Sequence, residues 1–281
     1  MTTQNHTRAS DLPRAVAVIP AAGEGRRVAP LPGSKEILPL GTQSMPDRDG
    51  PRVRVVSQHL LEALKAGGAE AAYWVLRDGK WDIPAYWGDG HRVDVPCAYL
   101  TARWTYGVPF TIDQAYPFVK ERVVLLGFPD ILFRPLDAFR TLRHELADTD
   151  ADVVLGCMPV DDPATVDVIE KSADGTVTAI HVKPEASPLR EAWCLAAWGP
   201  RFTEWLHARI AGIIADPDRR ARVNAHERHL GHVFQAAIED GLLVRGVSFA
   251  DGRFLDIGTP ETLAKALSTG QFVPASAAPS D

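Results

Sequence analysis

Cysteine is scarce in this chain of 281 residues. The three present, Cys97, Cys157 and Cys194, lie far apart and without C-x-x-C spacing. That argues against a disulfide framework or a cysteine-built zinc site, and leaves small apolar residues of a reducing compartment. No apolar run approaches the ~20 residues that cross a bilayer, and the polar start has no secretory core. A cytoplasmic protein with no membrane partner is expected. A basic excess is lacking as well. The net charge of −6 argues against a general nucleic-acid binder, so an anionic substrate would need a local basic site. Also missing are G-x-S-x-G, H-E-x-x-H and internal repeats, hexapeptide turns included. His226 and His229, beside Glu227 and Arg228, read as a surface helix face rather than a metal site.

What is present is globular: 46% apolar and 23% charged residues. Residues 1–13 and 273–281 are expected to be loose tails, the latter through its P-A-S-A-A-P-S-D ending. Residues 14–272 are expected to form one domain of two halves, 14–158 and 159–272. In the first half, strand patterns at 15–19, 71–76, 93–100, 123–126 and 152–156 alternate with helix patterns at 56–66, 109–119 and 136–146. This order predicts a Rossmann-like α/β fold, a mostly parallel sheet with helices on both faces. From about Val160 the strand patterns at 166–170, 177–182 and 193–198 are separated by turns and predict a small antiparallel subdomain. Helices at 201–215, 232–240 and 260–267 and strands at 242–249 and 253–255 complete the reading.

The stretch from Ala17 to Leu40 carries the most chemistry. An apolar strand ends in Pro20, followed by Ala21, Ala22, Gly23, Glu24 and Gly25. Small residues there leave backbone N–H groups open to a phosphate. Arg26, Arg27 and Lys35 follow, fixed cations suited to polyphosphate charge. No Gly-Lys-Ser/Thr follows, so this is not a Walker loop, and Val28 stands where the dinucleotide fingerprint needs its third glycine. Taken alone, the glycine pair could be a tight loop and no more.

With its context the segment resembles the signature of the sugar-1-phosphate nucleotidylyltransferases, makers of nucleoside-diphosphate sugars. Their G-x-G-T-R, spacer, P-K-x-L-L-P pattern is matched at Gly23, Gly25, Arg27, Lys35, Leu38 and Pro39. The chain departs at Arg26, where the family has Thr or Ser, and at Ser34, which precedes Lys35 in a shortened spacer. Arg26 either adds a phosphate contact or crowds a triphosphate. The resemblance implies that Ala22, Gly23, Glu24, Gly25 and Arg26 border the nucleotide, with Arg27 and Lys35 catalytic.

Three further motifs follow in the family's order. Asp130 closes the segment from Val123 through Pro129, and a carboxylate just past a buried strand suits a Mg²⁺ ligand; the bland alternative is a turn aspartate. Phe254 to Glu261, F-L-D-I-G-T-P-E, resembles the family's W-x-D-x-G-T-P-E, which implies that Asp256 is the second Mg²⁺ ligand. Lys183 in H-V-K-P is similar to the lysine of the family's E-K-P, which meets the sugar phosphate, with His181 at or near the usual glutamate. Gly107, ahead of a helix start, resembles the base-reading loop, with Thr101, Arg103 and Trp104 beside it; Trp104 is also assigned to the sugar-phosphate side with Lys183 and His181. Gly88 and Gly90 read as a structural turn.

The resemblance spans about residues 15–267. It implies Mg²⁺-dependent union of a nucleoside triphosphate with a sugar 1-phosphate, in a fold whose relatives are commonly oligomers. Residues 14–158 would then be the nucleotide half and 159–272 the sugar-side half. A nucleotide-sugar glycosyltransferase is the rival enzyme reading, although the D-x-D common in that class is absent around Asp130. A non-catalytic nucleotide-sugar-binding regulator is the third.

Overall fold

A run of small and branched apolar residues, Ala15–Ala21, forms β1 in the middle of the main sheet. Its side chains alternate between two cores. Val16 and Val18 pack with Phe110, Phe202 and Phe234 on one face, and Ala17 and Ile19 with Leu60, Leu64 and Phe139 on the other. A strand buried on both faces needs apolar residues at every position, which is how this one reads. The structure is a computed structural model and describes residues 12–45, 48–104, 106–225 and 229–269. The expected tails (apart from Leu12 and Pro13), Thr105, and the surface-helix reading of His226, Glu227 and Arg228 lie outside the described residues.

The chain is a mixed α/β protein. The strands are β1, β2 (Pro39–Met45), β3 (Arg48–Val55), β4 (Ala69–Leu76), β5 (Cys97–Thr101), β6 (Val123–Leu126), β7 (Ile131–Arg134), β8 (Val153–Pro159), β9 (Asp167–Lys171), β10 (Val177–Val182), β11 (Glu191–Trp198), β12 (Val244–Ser248) and β13 (Arg253–Asp256). The helices are α1 (Gln58–Ala66), α2 (Asp82–Trp87), α3 (Val108–Asp113), α4 (Tyr116–Val119), α5 (Ala138–Asp148), α6 (Pro200–Ala215), α7 (Pro217–Ala225), α8 (Leu230–Glu239) and α9 (Pro260–Thr269). Strands β6, β1, β4 and β5 run parallel, and β11, β9 and β10 extend the same sheet antiparallel. Two small antiparallel ribbons, β2–β3 and β7–β13, stand apart from it. Among the described residues no helix is long and apolar enough to cross a membrane.

Several details differ from the sequence expectation. The strand expected at 152–156 is β8, but it does not join the parallel run. β11 pairs with both β6 and β8 and so separates them, and β8 runs parallel only to β12. The strand expected from Val93 starts at Cys97, because Gly90 to Val95 form a tight turn in which a side chain on Gly90 would collide with the Val95 carbonyl. The helix expected at 109–119 breaks at Gln114–Ala115 into α3 and α4. Helix α7 was not expected, since it has no apolar stripe. Its start is capped by Asp216, which accepts from the N–H groups of Asp218 and Arg219 at 2.9 and 3.1 Å.

Candidate active site

Parallel register brings the carboxyl ends of three strands level. Ala21 pairs with Leu76, and Leu76 with Thr101. The glycine turn, Arg77 and Thr101 therefore share one rim of the sheet, the side where such sheets take ligands. Gly23 has nothing within 4 Å of where a Cβ would stand, so the turn is open. Gly25 has φ 66°, a left-handed conformation that suits glycine, and from it the chain makes one 3₁₀ turn, Arg26–Val28. Arg26 forms an ion pair with Glu24 at the exposed edge. Arg27, also exposed, reaches across to Asp256, its Nη2 3.7 Å from Oδ2.

Lys35 enters from a second 3₁₀ turn, Lys35–Ile37, and bonds to Asp130 Oδ2. Both side chains are largely buried, at 14% and 16% exposure. That turn is clamped on both sides. Before Lys35, the Ser34 N–H and hydroxyl both donate to the Asp82 carboxylate, at 2.6 and 2.7 Å. After it, Glu36 makes a buried ion pair with Lys80 at 2.6 Å, and its backbone carbonyl accepts from the Ser57 N–H. The departure from proline at position 34 is thus used: a serine offers Asp82 two donors, where proline would offer none.

The two acids meet through the β7–β13 ribbon. Asp256 lies opposite Ile131, and the Ile257 N–H donates to the Asp130 carbonyl at 2.8 Å. Gly258 follows in a space where a Cβ would fall 2.8 Å from Arg27 Nη2 and about 3 Å from both Asp256 carboxylate oxygens. Asp256 is split in character: its side chain is 44% exposed, yet Oδ1 is buried and has no hydrogen-bond partner. Burial pushes its pKa up and the Asp130 charge pushes it further, against the pull of Lys35, Arg27 and Lys183. For Lys35, burial is the largest single influence and lowers the pKa, but Asp130, Glu36 and Asp256 together outweigh it and the ammonium is held above its ordinary value. Two neighbouring carboxylates, one with an orphaned oxygen, form a donor set that a hard divalent cation fits. Among the described residues no group of three or more His, Cys, Asp or Glu gathers to hold a metal unaided. A Mg²⁺ ion here would take its remaining ligands from substrate oxygens and water.

Lys183 stands just past β10, its charge felt at Asp256 and its N–H donating to the Val166 carbonyl at 3.2 Å. It holds φ 43°, a left-handed conformation unusual for a lysine and doubly so before Pro184. His181 goes elsewhere: it is exposed and lies 3.5 Å from Glu170. Gly107, with φ 110°, opens α3. Trp104 is held between Arg103 and Arg220, at 5.1 and 6.0 Å from their guanidinium carbons. Sequence reading missed Arg77 and the Ser34–Asp82 clamp. Arg77 follows an apolar strand with no motif around it, and the clamp spans two distant segments.

These features define an α/β fold with a cluster of acids and cations at the carboxyl rim of its sheet. No protein-family model and no curated protein sequence matches the chain. Among solved structures it is similar to a Bacillus anthracis protein assigned as a glucose-1-phosphate thymidylyltransferase, crystallised with sucrose. The TM-score is 0.74 over 90% of this chain and 94% of that one, at 18% identity. The likeness establishes that the two chains share a fold.

Proposed function

We propose that the chain is a sugar-1-phosphate nucleotidylyltransferase. The observation that carries the reading is the convergence of Arg27, Lys35, Asp130, Asp256 and Lys183 in one electrostatic neighbourhood beside an open glycine turn. Asp130 and Asp256 would hold Mg²⁺, which when bound supplies charge neutralisation to the phosphates. The amides of the Gly23–Gly25 turn, Arg27 and Lys35 bind the triphosphate and stabilise the charge that builds on departing pyrophosphate. Lys183 orients the acceptor phosphate. One of that phosphate's oxygens attacks the α-phosphorus in line, the α–β bridging bond breaks, and pyrophosphate leaves with the electron pair. The attacking oxygen is already anionic, so the chain needs no general base.

The test is a matrix of nucleoside triphosphates against sugar 1-phosphates with Mg²⁺, read as pyrophosphate. Release that requires both substrates supports the proposal. Silence across the matrix, or sugar transfer from a nucleoside-diphosphate sugar without pyrophosphate chemistry, contradicts it.

A further inference from the structure

Beyond Lys183 the site is bordered by a wall of residues that no motif announces. Three strands bring it together. Asp167 lies opposite Val182 of β10 on one side, while on the other the pairing of Val168 with Ala192 sets Trp193 of β11 beside it. Helix α8 meets this edge end-on: a side chain at Gly231 would run into Asp167 Oδ2. The helix start then carries His229 and His232 past the carboxylate, their rings 5.9 Å apart. Trp193 is 7% exposed, and its buried indole N–H is turned to the Asp167 carboxylate, whose charged form it favours. Its ring packs 6.1 Å from Phe128, two residues ahead of Asp130. The wall thus runs from the Asp130 loop to Lys183.

Lys183 and the two histidines face Asp167 as cationic or cationisable groups, and all three pull its pKa down against a larger rise caused by burial. A carboxylate at the mouth of a solvated surface would have no need of such packing. On an aromatic floor, next to a lysine suited to a phosphate, a carboxylate that only accepts hydrogen bonds selects for a ligand that donates them. Sugar hydroxyls do so.

We infer that Asp167, backed by Trp193 and Gly231, is the specificity-determining residue of the acceptor pocket, accepting a hydrogen bond from a ring hydroxyl of a sugar 1-phosphate whose phosphate rests on Lys183. This rests on the proposed function for the identity of the acceptor, yet its test needs no turnover. Binding of inorganic phosphate and of a panel of hexose 1-phosphates is measured by calorimetry on the wild-type chain, Asp167→Asn and Trp193→Phe. The best hexose 1-phosphate should bind wild type at least tenfold more tightly than phosphate does. In Asp167→Asn that advantage should shrink at least fivefold, while phosphate binds as well or better, because a nearby negative charge is gone. Trp193→Phe, which keeps the floor and removes the N–H, should lose a smaller part of the advantage. A wild-type chain that does not prefer any sugar phosphate, a variant that keeps the full preference, or equal losses for phosphate and sugar phosphate would overturn the inference. Failure of the proposed function shows separately, as absent pyrophosphate release by wild type.

Discussion

The backbone N–H of Ile257 donates to the carbonyl oxygen of Asp130 at 2.8 Å. Through that bond and the facing pair Asp256–Ile131, a ribbon of two four-residue strands brings together two acids far apart in sequence. Main chain holds the ribbon itself, so the carboxylates are turned to the cations, Asp130 to Lys35 and Asp256 Oδ2 to Arg27. Asp256 Oδ1, buried and unpartnered, is the sign that a further partner is meant.

Gly258 should be intolerant of a methyl group for reasons of site geometry. Its backbone φ is ordinary, so Gly258→Ala is not strained, but the new Cβ meets Arg27 Nη2 and both Asp256 oxygens. The guanidinium, the flexible partner, must swing out. Thermal unfolding should change little, while the KM for triphosphate rises severalfold in the pyrophosphate assay. An unchanged KM would show that Arg27 does not touch the nucleotide.

Lys183 should separate stability from binding. Left-handed backbone costs a non-glycine residue about 1–2 kcal/mol. Lys183→Gly should therefore be more stable than Lys183→Ala by about 1 kcal/mol in urea unfolding, although both lose the ammonium. Both should weaken phosphate binding alike. Equal stability of the two variants would mean that the left-handed turn is absent in solution.

The buried Glu36–Lys80 pair should betray itself in a double-mutant cycle. Lys80→Met strands a carboxylate that is 1% exposed, at a cost of about 3–5 kcal/mol. Glu36→Leu with Lys80→Met should recover most of that loss, because no charge is left unpaired. Additive effects in chemical denaturation would count against the pair. Ser34→Pro keeps a compatible φ of −66° yet removes both donors to Asp82, and should cost about 1 kcal/mol.

Acid should destabilise the chain partly through His59. Its Nε2 accepts from the Phe133 N–H at 3.0 Å, so the ring is neutral in the fold. Burial, then Arg54 and Arg134, push its pKa down to about 3. The unfolded ring gains its proton near pH 6.5 and the folded one only near 3, so unfolding takes up a proton in that window. Stability present above pH 6.5 is lost as pH falls, by up to about 2 kcal/mol between pH 6.5 and 5. His59→Gln should flatten that slope in denaturant titrations at several pH values. An identical slope would contradict the neutral, buried ring.

Much of this was legible because it is local. β1 betrays itself by unbroken apolar residues, and the glycine turn, Asp130, Lys183 and the segment around Asp256 are short words with short-range meaning. The ribbon that joins the acids was not legible. Ile131–Arg134 is four residues long, directly follows a proline-containing loop, and acquires its partner only at Arg253–Asp256. Asp167 and Trp193 fall in the strand patterns 166–170 and 193–198 with no motif around either, and only cross-strand register sets them side by side. Ser34 looked like a defect in a motif until Asp82 supplied its reason.

The most direct measurement is pyrophosphate release from the best substrate pair by the wild-type chain, Asp130→Asn and Asp256→Asn, with folding checked by thermal unfolding. Both variants should lose at least about a hundredfold in rate while staying folded, and Asp256→Asn should melt no lower than wild type, since burial already disfavours its charge. A folded variant of either kind that releases pyrophosphate at the wild-type rate would contradict a shared magnesium site at these two residues.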